Sequence, residues 1–435
     1  MSGPRFKGCS EYEDLSRRGF LGLGAKAAAL AALGPSWLPN VKFASRDRLD
    51  AMFGEGRDII VSVYLRGGCD GLSMCVPYVE PNYYTARPQL AIPRPDSTAA
   101  QKAINLNGFF GLAPALQPLK SIYDAGDLLV VHATGSRDET KSHFDAQHFM
   151  EAGKPDKRVW TGWLGRHLST APPMSPTAPV RGVALTYQVP LTVEGGPKTL
   201  PLSTLQDYKI GGFDETLEGR RNWLQDAYAS ADAALANAAA NVDATLQMLA
   251  NLNFQNYTPA GGAVYAENEF SMSLKAAAAL IRYEAGIEAL HIDYGGWDTH
   301  EYQFPLDGQM AALMDTFAVG LRAFYTDLQA AGFMNRVTLV VVSEFGRVLA
   351  QNGSYGTDHG HGNCMWLMGG NVIGNRVLTQ WPGLAPEQLF EGQDLQVTID
   401  YRDILAEVVQ KRLGNTSLSA VFPDYSPTFR GAVAG

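Results

Sequence analysis

Residues 58–72, Asp-Ile-Ile-Val-Ser-Val-Tyr-Leu-Arg-Gly-Gly-Cys-Asp-Gly-Leu (DIIVSVYLRGGCDGL), set a β-branched apolar run against an abrupt polar, glycine-rich stop. A strand that is apolar on both alternating faces suits a parallel sheet covered by helices on each side. The polar stop, from Arg66 to Gly71, then falls where the strand ends. The same pattern recurs down the chain. Residues 127–132 run into Ala133-Thr-Gly-Ser-Arg137, 287–293 into Tyr294-Gly-Gly-Trp-Asp-Thr-His300, and 336–342 into Ser343-Glu-Phe-Gly-Arg347. Residues 364–368 form a last short strand before Gly369 and Gly370. Between these runs, helical periodicity occupies 309–331, and Ala- and Leu-rich stretches extend over 222–251 and 268–285. Residues 400–413 open on the acidic cap Asp400 and close on Lys411, Arg412 and Gly414.

This alternation predicts an α/β fold, a doubly wound and mostly parallel sheet with helices on both faces. A chain of 435 residues with 46% hydrophobic and 18% charged residues has ample core for one such domain, taken as 45–435. The Pro-rich stretch Ala171-Pro-Pro-Met-Ser-Pro-Thr-Ala-Pro179 opens a segment, 172–259, read as an inserted helical cap. A net charge of -9 without basic runs excludes nucleic acid as a partner. An anionic ester stays open as a substrate, because a bound cation reverses the local sign.

At the amino terminus, Ser16-Arg17-Arg18-Gly19-Phe20-Leu21 precedes the mild apolar run GLGAKAAALAALG over 22–34. That run is too short and too weakly apolar for a membrane span. The expectation is a twin-arginine signal over 1–44, removed between Ala31 and Ala44. It implies the twin-arginine translocase as partner and a periplasmic or secreted destination; the alternative is an amphipathic N-terminal helix. Loss of Cys9 with the signal leaves Cys69, Cys75 and Cys364, which allow one disulfide or three buried thiols.

Ligands of open parallel sheets bind beyond the carboxyl ends of the strands, and the chain's distinctive polar residues fall there. Asp70, Asp298 with His300, and Glu344 each follow a different strand. The loop Gly353-Ser-Tyr-Gly-Thr-Asp-His-Gly-His-Gly362 brings Asp358, His359 and His361 before another. Carboxylate and imidazole ligands suit Zn²⁺, Mn²⁺, Mg²⁺ or Ca²⁺. Spacings of two residues let both side chains point the same way from an extended segment. One or two divalent ions are therefore expected, held by residues drawn from this set. Asp358 as a turn cap and Glu344 as a partner of Arg347 are the competing readings.

The segment 136–150, SRDETKSHFDAQHFM, supplies a nucleophile. Ser142 at a helix start has backbone N–H groups that hold an anion, and Thr140 is the other choice; a plain helix cap is the competing role for Ser142. Arg66 and Arg347 are candidates to grip an oxyanion or to hold a neighbouring carboxylate.

Taken together, LRGGCDGL, SHFDAQHFMEAG, GWLGRHL, GWDTH, SEFGR and GTDHGHG, in this order behind a twin-arginine motif, resemble a bacterial exported family known as a domain of unknown function. That family is grouped with the alkaline phosphatase superfamily, which includes sulfatases and phosphomutases. The resemblance implies an alkaline-phosphatase-like fold and, in active members, two metal ions about 4 Å apart around a Ser or Thr nucleophile. It maps Asp70 to the ligand after the first strand, Ser142 or Thr140 to the nucleophile, Asp298 and His300 to one metal site, and His359, with His361 as second candidate, to the last ligand. At Ser343-Glu-Phe-Gly346 the pattern departs: Glu344 stands for an Asp, and Phe345 for a His ligand. The implied function is hydrolysis of a small-molecule or glycan phosphate or sulfate ester. The alternative is an exported binding protein that has lost turnover. No Cys-x-Pro-x-Arg segment is present to form a sulfatase formylglycine, so a phosphoester is preferred.

Overall fold

The computed structural model describes residues 57–435, apart from positions 207 and 230; the signal segment 1–44 and Cys9 lie outside the described residues. At its centre is strand β1, Ile59–Leu65. The sheet continues with β2 (Leu128–Gly135), β3 (Gly182–Ala184), β4 (Thr199–Pro201), β5 (Ala289–Tyr294), β6 (Val337–Ser343), β7 (Asn363–Met368), β8 (Arg376–Leu378) and β9 (Ile399–Asp400). Their spatial order is β8-β2-β7-β6-β1-β5-β3-β4, with β9 also paired to β2. β1 lies parallel between β5 and β6, with Leu65 level with both Tyr294 and Ser343.

The doubly covered sheet expected from the sequence is present, because successive residues of one strand enter different cores. Val61, Val63 and Leu65 join one apolar cluster, with Leu274, Phe317 and Leu321. Ile60 and Tyr64 join the other, with Leu164, Ile404 and Val408. We number the longer helices α1 (Gln117–Asp124), α2 (His143–Ala152), α3 (Trp163–Thr170), α4 (Leu217–Ala229), α5 (Ala233–Leu252), α6 (Glu269–Arg282), α7 (Gln309–Ala330) and α8 (Tyr401–Lys411). The acidic cap read from sequence holds, since the Asp400 carboxylate accepts from the Arg402 N–H, and the structure adds a cap at Asn268, which accepts from the Ser271 N–H.

One expectation changes. Residues 172–259 are not a cap throughout: β3 and β4 extend the central sheet in parallel beyond β5, and α4 and α5 form a helical pair joined by the Arg221–Asp243 ion pair. Within the mostly parallel sheet, β7 runs antiparallel to both β2 and β6. In a parallel strand the preceding loop would lie at the amino edge, away from the other polar loops. Reversal brings Asn363 beside Thr134, so 353–362 arrives at the same edge as the loops after β1, β5 and β6. No helix among the described residues is long and apolar enough to cross a membrane.

Cys69, Cys75 and Cys364 are free and buried, so no disulfide braces this edge. Burial pushes the Cys69 thiol up to about 12 and raises the other two as well. A thiol this hard to ionise is a poor nucleophile. A thiol alkylator read out by peptide mapping is expected to leave all three unmodified in the native protein and to label all three in denaturant. Native labelling of Cys69 would contradict a closed β1 loop.

Candidate functional site

The residues beyond the carboxyl edge converge on one oxygen. Asp298 lies four residues past β5, next to Trp297, whose fully buried ring and N–H···O=C bond to Arg66 fix the loop. Its Oδ1 is 2.7 Å from Arg347 Nη2, 3.0 Å from His300 Nε2, 3.1 Å from His359 Nε2 and 3.5 Å from His143 Nε2. Burial alone would raise this carboxyl. The hydrogen bonds from His143 and His300, with the Arg347 charge, win and hold it far below the ordinary carboxylate range.

Each imidazole is anchored through its other nitrogen. His143 Nδ1 is 2.9 Å from Glu344 Oε1, His300 Nδ1 is 2.9 Å from Asp358 Oδ1, and His359 Nδ1 donates to the Lys141 carbonyl at 2.8 Å. An Nδ1–H committed to an acceptor leaves the Nε2 lone pair for something else. The Nε2 atoms of His300 and His359 lie 2.9 Å apart. Two bare lone pairs at that distance repel, so a proton or a cation must stand between them. His143, Asp298 and His359 can each offer one ligand atom to a common ion, and a carboxylate or carbonyl behind each imidazole is the usual support of a metal-ligating histidine. The donor set is imidazole nitrogen with one hard carboxylate oxygen, of the kind that divalent ions take.

In the metal-free protein, protons take that place. Burial works against the His143 cation, but Asp298 and Glu344 raise it to about 9; Asp298 likewise raises His300. Burial lowers His359, which stays neutral between them.

Close backbone approach holds this arrangement. Arg347, fully buried, donates to the carbonyls of Gly67, Gly68, Trp297 and Thr357 as well as to Asp298. The loop 353–362 lies against it, with Arg347 bridged antiparallel to His359. Its glycines serve proximity rather than unusual dihedrals: a Cβ on Gly360 would stand 2.3 Å from Arg347 C, and one on Gly356 2.1 Å from His300 O. Phe345 packs its ring 4.7 Å from His359 and 5.0 Å from His143, centroid to centroid.

Other expected site residues are placed elsewhere. Asp70 is buried in an ion pair with Arg87, at 2.5 and 3.1 Å, and also accepts from Ser73 and Gln303, so both its oxygens are engaged away from the imidazoles. Arg66 is held by Asp293 and Glu151 over the Tyr64 ring, and Arg347 by carbonyls and Asp298; both hold neighbours rather than facing an open site. Glu344 pairs not with Arg347 but with His143, Gln147 and the Gly67 N–H. Asp358 orients His300 and accepts from Asn352 rather than capping its turn. His361 is outside the cluster, its ring stacked 4.4 Å from Phe390. Ser142 occupies the N-cap position of α2 but makes no capping bond with its side chain, and Thr140 Oγ1 accepts from Ser142 N–H. Ser142 stands between Lys141, whose carbonyl holds His359, and His143. The sequence reading missed His143 as a candidate ligand, although it adjoins Ser142 and shares a helix face with Gln147, four residues on.

Two outcomes follow from this placement. Asp70→Asn leaves Arg87 buried and unpaired, so unfolding free energy should fall by about 3–5 kcal/mol, while the folded fraction keeps the metal content of wild type. Loss of metal at unchanged stability would return Asp70 to the ligand set. In chelator-stripped protein, the folded His143 titrates near 9 against an ordinary 6.5. Its stabilisation is full below pH 6.5 and is lost as pH rises through about 9. Thermal midpoints between pH 6 and 10 should therefore fall with pH, and a rise across that window would contradict the protonated imidazole.

The family model described as protein of unknown function (DUF1501) matches residues 57–422. No curated protein matches the chain. Among solved structures, Ps i-CgsB in complex with k-i-k-neocarrahexaose is 9% identical over 74% of this chain and 69% of its own, with a TM-score of 0.36. Alkaline phosphatase from the Antarctic bacterium TAB5 is 8% identical over 72% and 92%, at 0.30. Phosphonate monoester hydrolase of Agrobacterium radiobacter is 11% identical over 86% and 79%, also at 0.30. At these values none of the three speaks for the chemistry of this one. The family match, spanning nearly all of the described residues, agrees with the resemblance carried by the six motifs: the chain belongs to the DUF1501 family.

Proposed function

We propose that this chain is an exported, metal-dependent hydrolase of phosphate esters, with sulfate esters the second substrate class. The observation that carries the reading is the convergence of three Nε2 atoms on Asp298 Oδ1, each imidazole held from behind by an acceptor. His143, Asp298, His300 and His359 would hold a divalent ion, which when bound supplies Lewis acidity at an ester oxygen. Glu344, Asp358 and the Lys141 carbonyl keep the ligands aimed. Ser142, at the start of α2, attacks phosphorus: the Oγ–P bond forms, the P–O bond to the leaving group breaks, the serine proton passes to water, and the departing oxygen takes a proton from water. Water then cleaves the serine phosphate and restores the hydroxyl. The positive end of the α2 helix dipole, at Ser142, favours the added negative charge. Lys141 contributes little to that charge, because its ammonium is 2.7 Å from buried Asp394.

A second reading, metal binding without turnover, is favoured by Phe345, whose ring packs on His143 and His359 where the alkaline phosphatase superfamily pattern has another ligand. Metal content by plasma mass spectrometry on chelator-free protein, followed by an ester screen, separates the two. One equivalent with turnover supports the hydrolase, one equivalent without it supports the binder, and no metal under any reconstitution removes both. Glu344→Gln should weaken metal affinity by about 10–100-fold. Ser142→Ala should keep the metal and lose on the order of 10³-fold or more in kcat; activity retained on every ester would remove the serine mechanism. Export rests on the motif at Arg17 and Arg18, and Lys at both positions should leave the protein in the cytoplasm.

A further inference from the structure

The centre is closed on one side and open on the other. His143 is 1% exposed, whereas His300 is 30% and Asp358 61% exposed at the side chain. Three aromatic residues lie along the loops that make this open side. Tyr302 follows His300 by two residues, Phe304 by four, and Tyr355 precedes Asp358 by three. Tyr302 and Tyr355 are 55% and 42% exposed. Phe304 stacks on Tyr355 with ring centroids 5.6 Å apart and meets Tyr302 at 6.4 Å.

The backbone under these rings is fixed. Tyr302 N–H donates to Ser354 O and Gln303 N–H to Tyr355 O, while the Gln303 side chain is buried against Asp70, Thr299 and Thr357. Yet all three aromatics adopt left-handed backbone, at φ 49°, 32° and 59° for Tyr302, Phe304 and Tyr355. Bulky residues are disfavoured there, and Asn or Gly would serve the fold better. Two exposed rings and a half-buried one, kept at strained positions on the loops that carry His300 and Asp358, are explained by what they touch, since strain of this kind collects where ligands are held.

We infer that Tyr302, Phe304 and Tyr355 form a stacking platform that selects esters whose leaving group carries a ring directly beside the ester oxygen, either a sugar or an aryl ring. This rests on the hydrolase reading for the headgroup and adds the class of the group beyond it. Stacking of a ring face on tyrosine favours flat or saturated six-membered rings over a flexible chain that covers the same area without order.

The test uses three inert probes that share one headgroup: phenylphosphonate, cyclohexylphosphonate and hexylphosphonate. Binding to metal-loaded protein is followed by saturation-transfer NMR and calorimetry. The ring probes should bind at least about tenfold more tightly than the linear one. Preference for phenyl marks an aryl ester, and preference for cyclohexyl a sugar-like one. Tyr302→Asn and Tyr355→Asn should abolish the preference while the thermal midpoint holds or rises. Equal binding of ring and chain, preference retained in both variants, or a lowered midpoint would overturn the platform. Hydrolysis of cyclic and linear phosphate esters at equal kcat/KM would overturn it while leaving the hydrolase intact. Ring-dependent binding that the variants lose, with no ester cleaved, would keep the platform and remove the hydrolase.

Discussion

One buried guanidinium holds the functional edge together. Arg347 donates to carbonyls on the loop after β1, the loop after β5 and the loop before β7, and it points its remaining N–H at Asp298. Arginine alone has enough donors in a rigid fork for this task. A charge so deeply placed requires a counter-charge, and Asp298 provides it. The consequence is that Asp298 is ionised at any pH the protein meets, and its Oδ1 becomes the point toward which three imidazoles turn. Structure and site therefore share a cause: the ion pair that closes the loops also creates the anionic hub.

The charge arithmetic at that hub is consistent with the proposed cation. Without metal, His143 and His300 carry the protons that offset Asp298 and Glu344. In the proposed reading, a divalent ion held by these imidazoles would displace those two protons, so that two charges would leave as two arrive, and binding would strengthen as pH rises.

Much of this was legible in the sequence because the long elements declare themselves. β1, β2, β5 and β6 are continuous apolar runs, and α6, α7 and α8 match their periodic segments within a few residues. Asp298, His300, Glu344 and His359 were readable as strand-end polar residues. What stayed hidden depends on contacts far apart in the chain. Asp70 looks like a ligand until Arg87 is seen to reach it, and His361 equals His359 until Phe390 stacks on it. β3, β4, β8 and β9 span two or three residues each, too few for any period to register. The direction of β7 has no local signature at all, yet it decides whether the histidine loop meets the other ligands.

Phe345 sets the chemistry available to such a centre. A phenyl ring against His143 and His359 excludes water from one side of the imidazoles and lowers the local dielectric, which strengthens each interaction with Asp298. The same ring offers no lone pair, so the donors that meet at Asp298 suffice for one ion. A two-metal site divides the attacking and leaving oxygens between its ions; a single ion leaves one of them to the protein. Arg347 is already fully engaged, and Lys141 is neutralised by Asp394. The remaining positive potential lies in the N–H groups at the start of α2, where Ser142 stands. In the proposed mechanism, charge developing on the transferred group would be met by the start of α2, while the residues gathered at Asp298 would hold the ion and supply its Lewis acidity from the other side of the cluster.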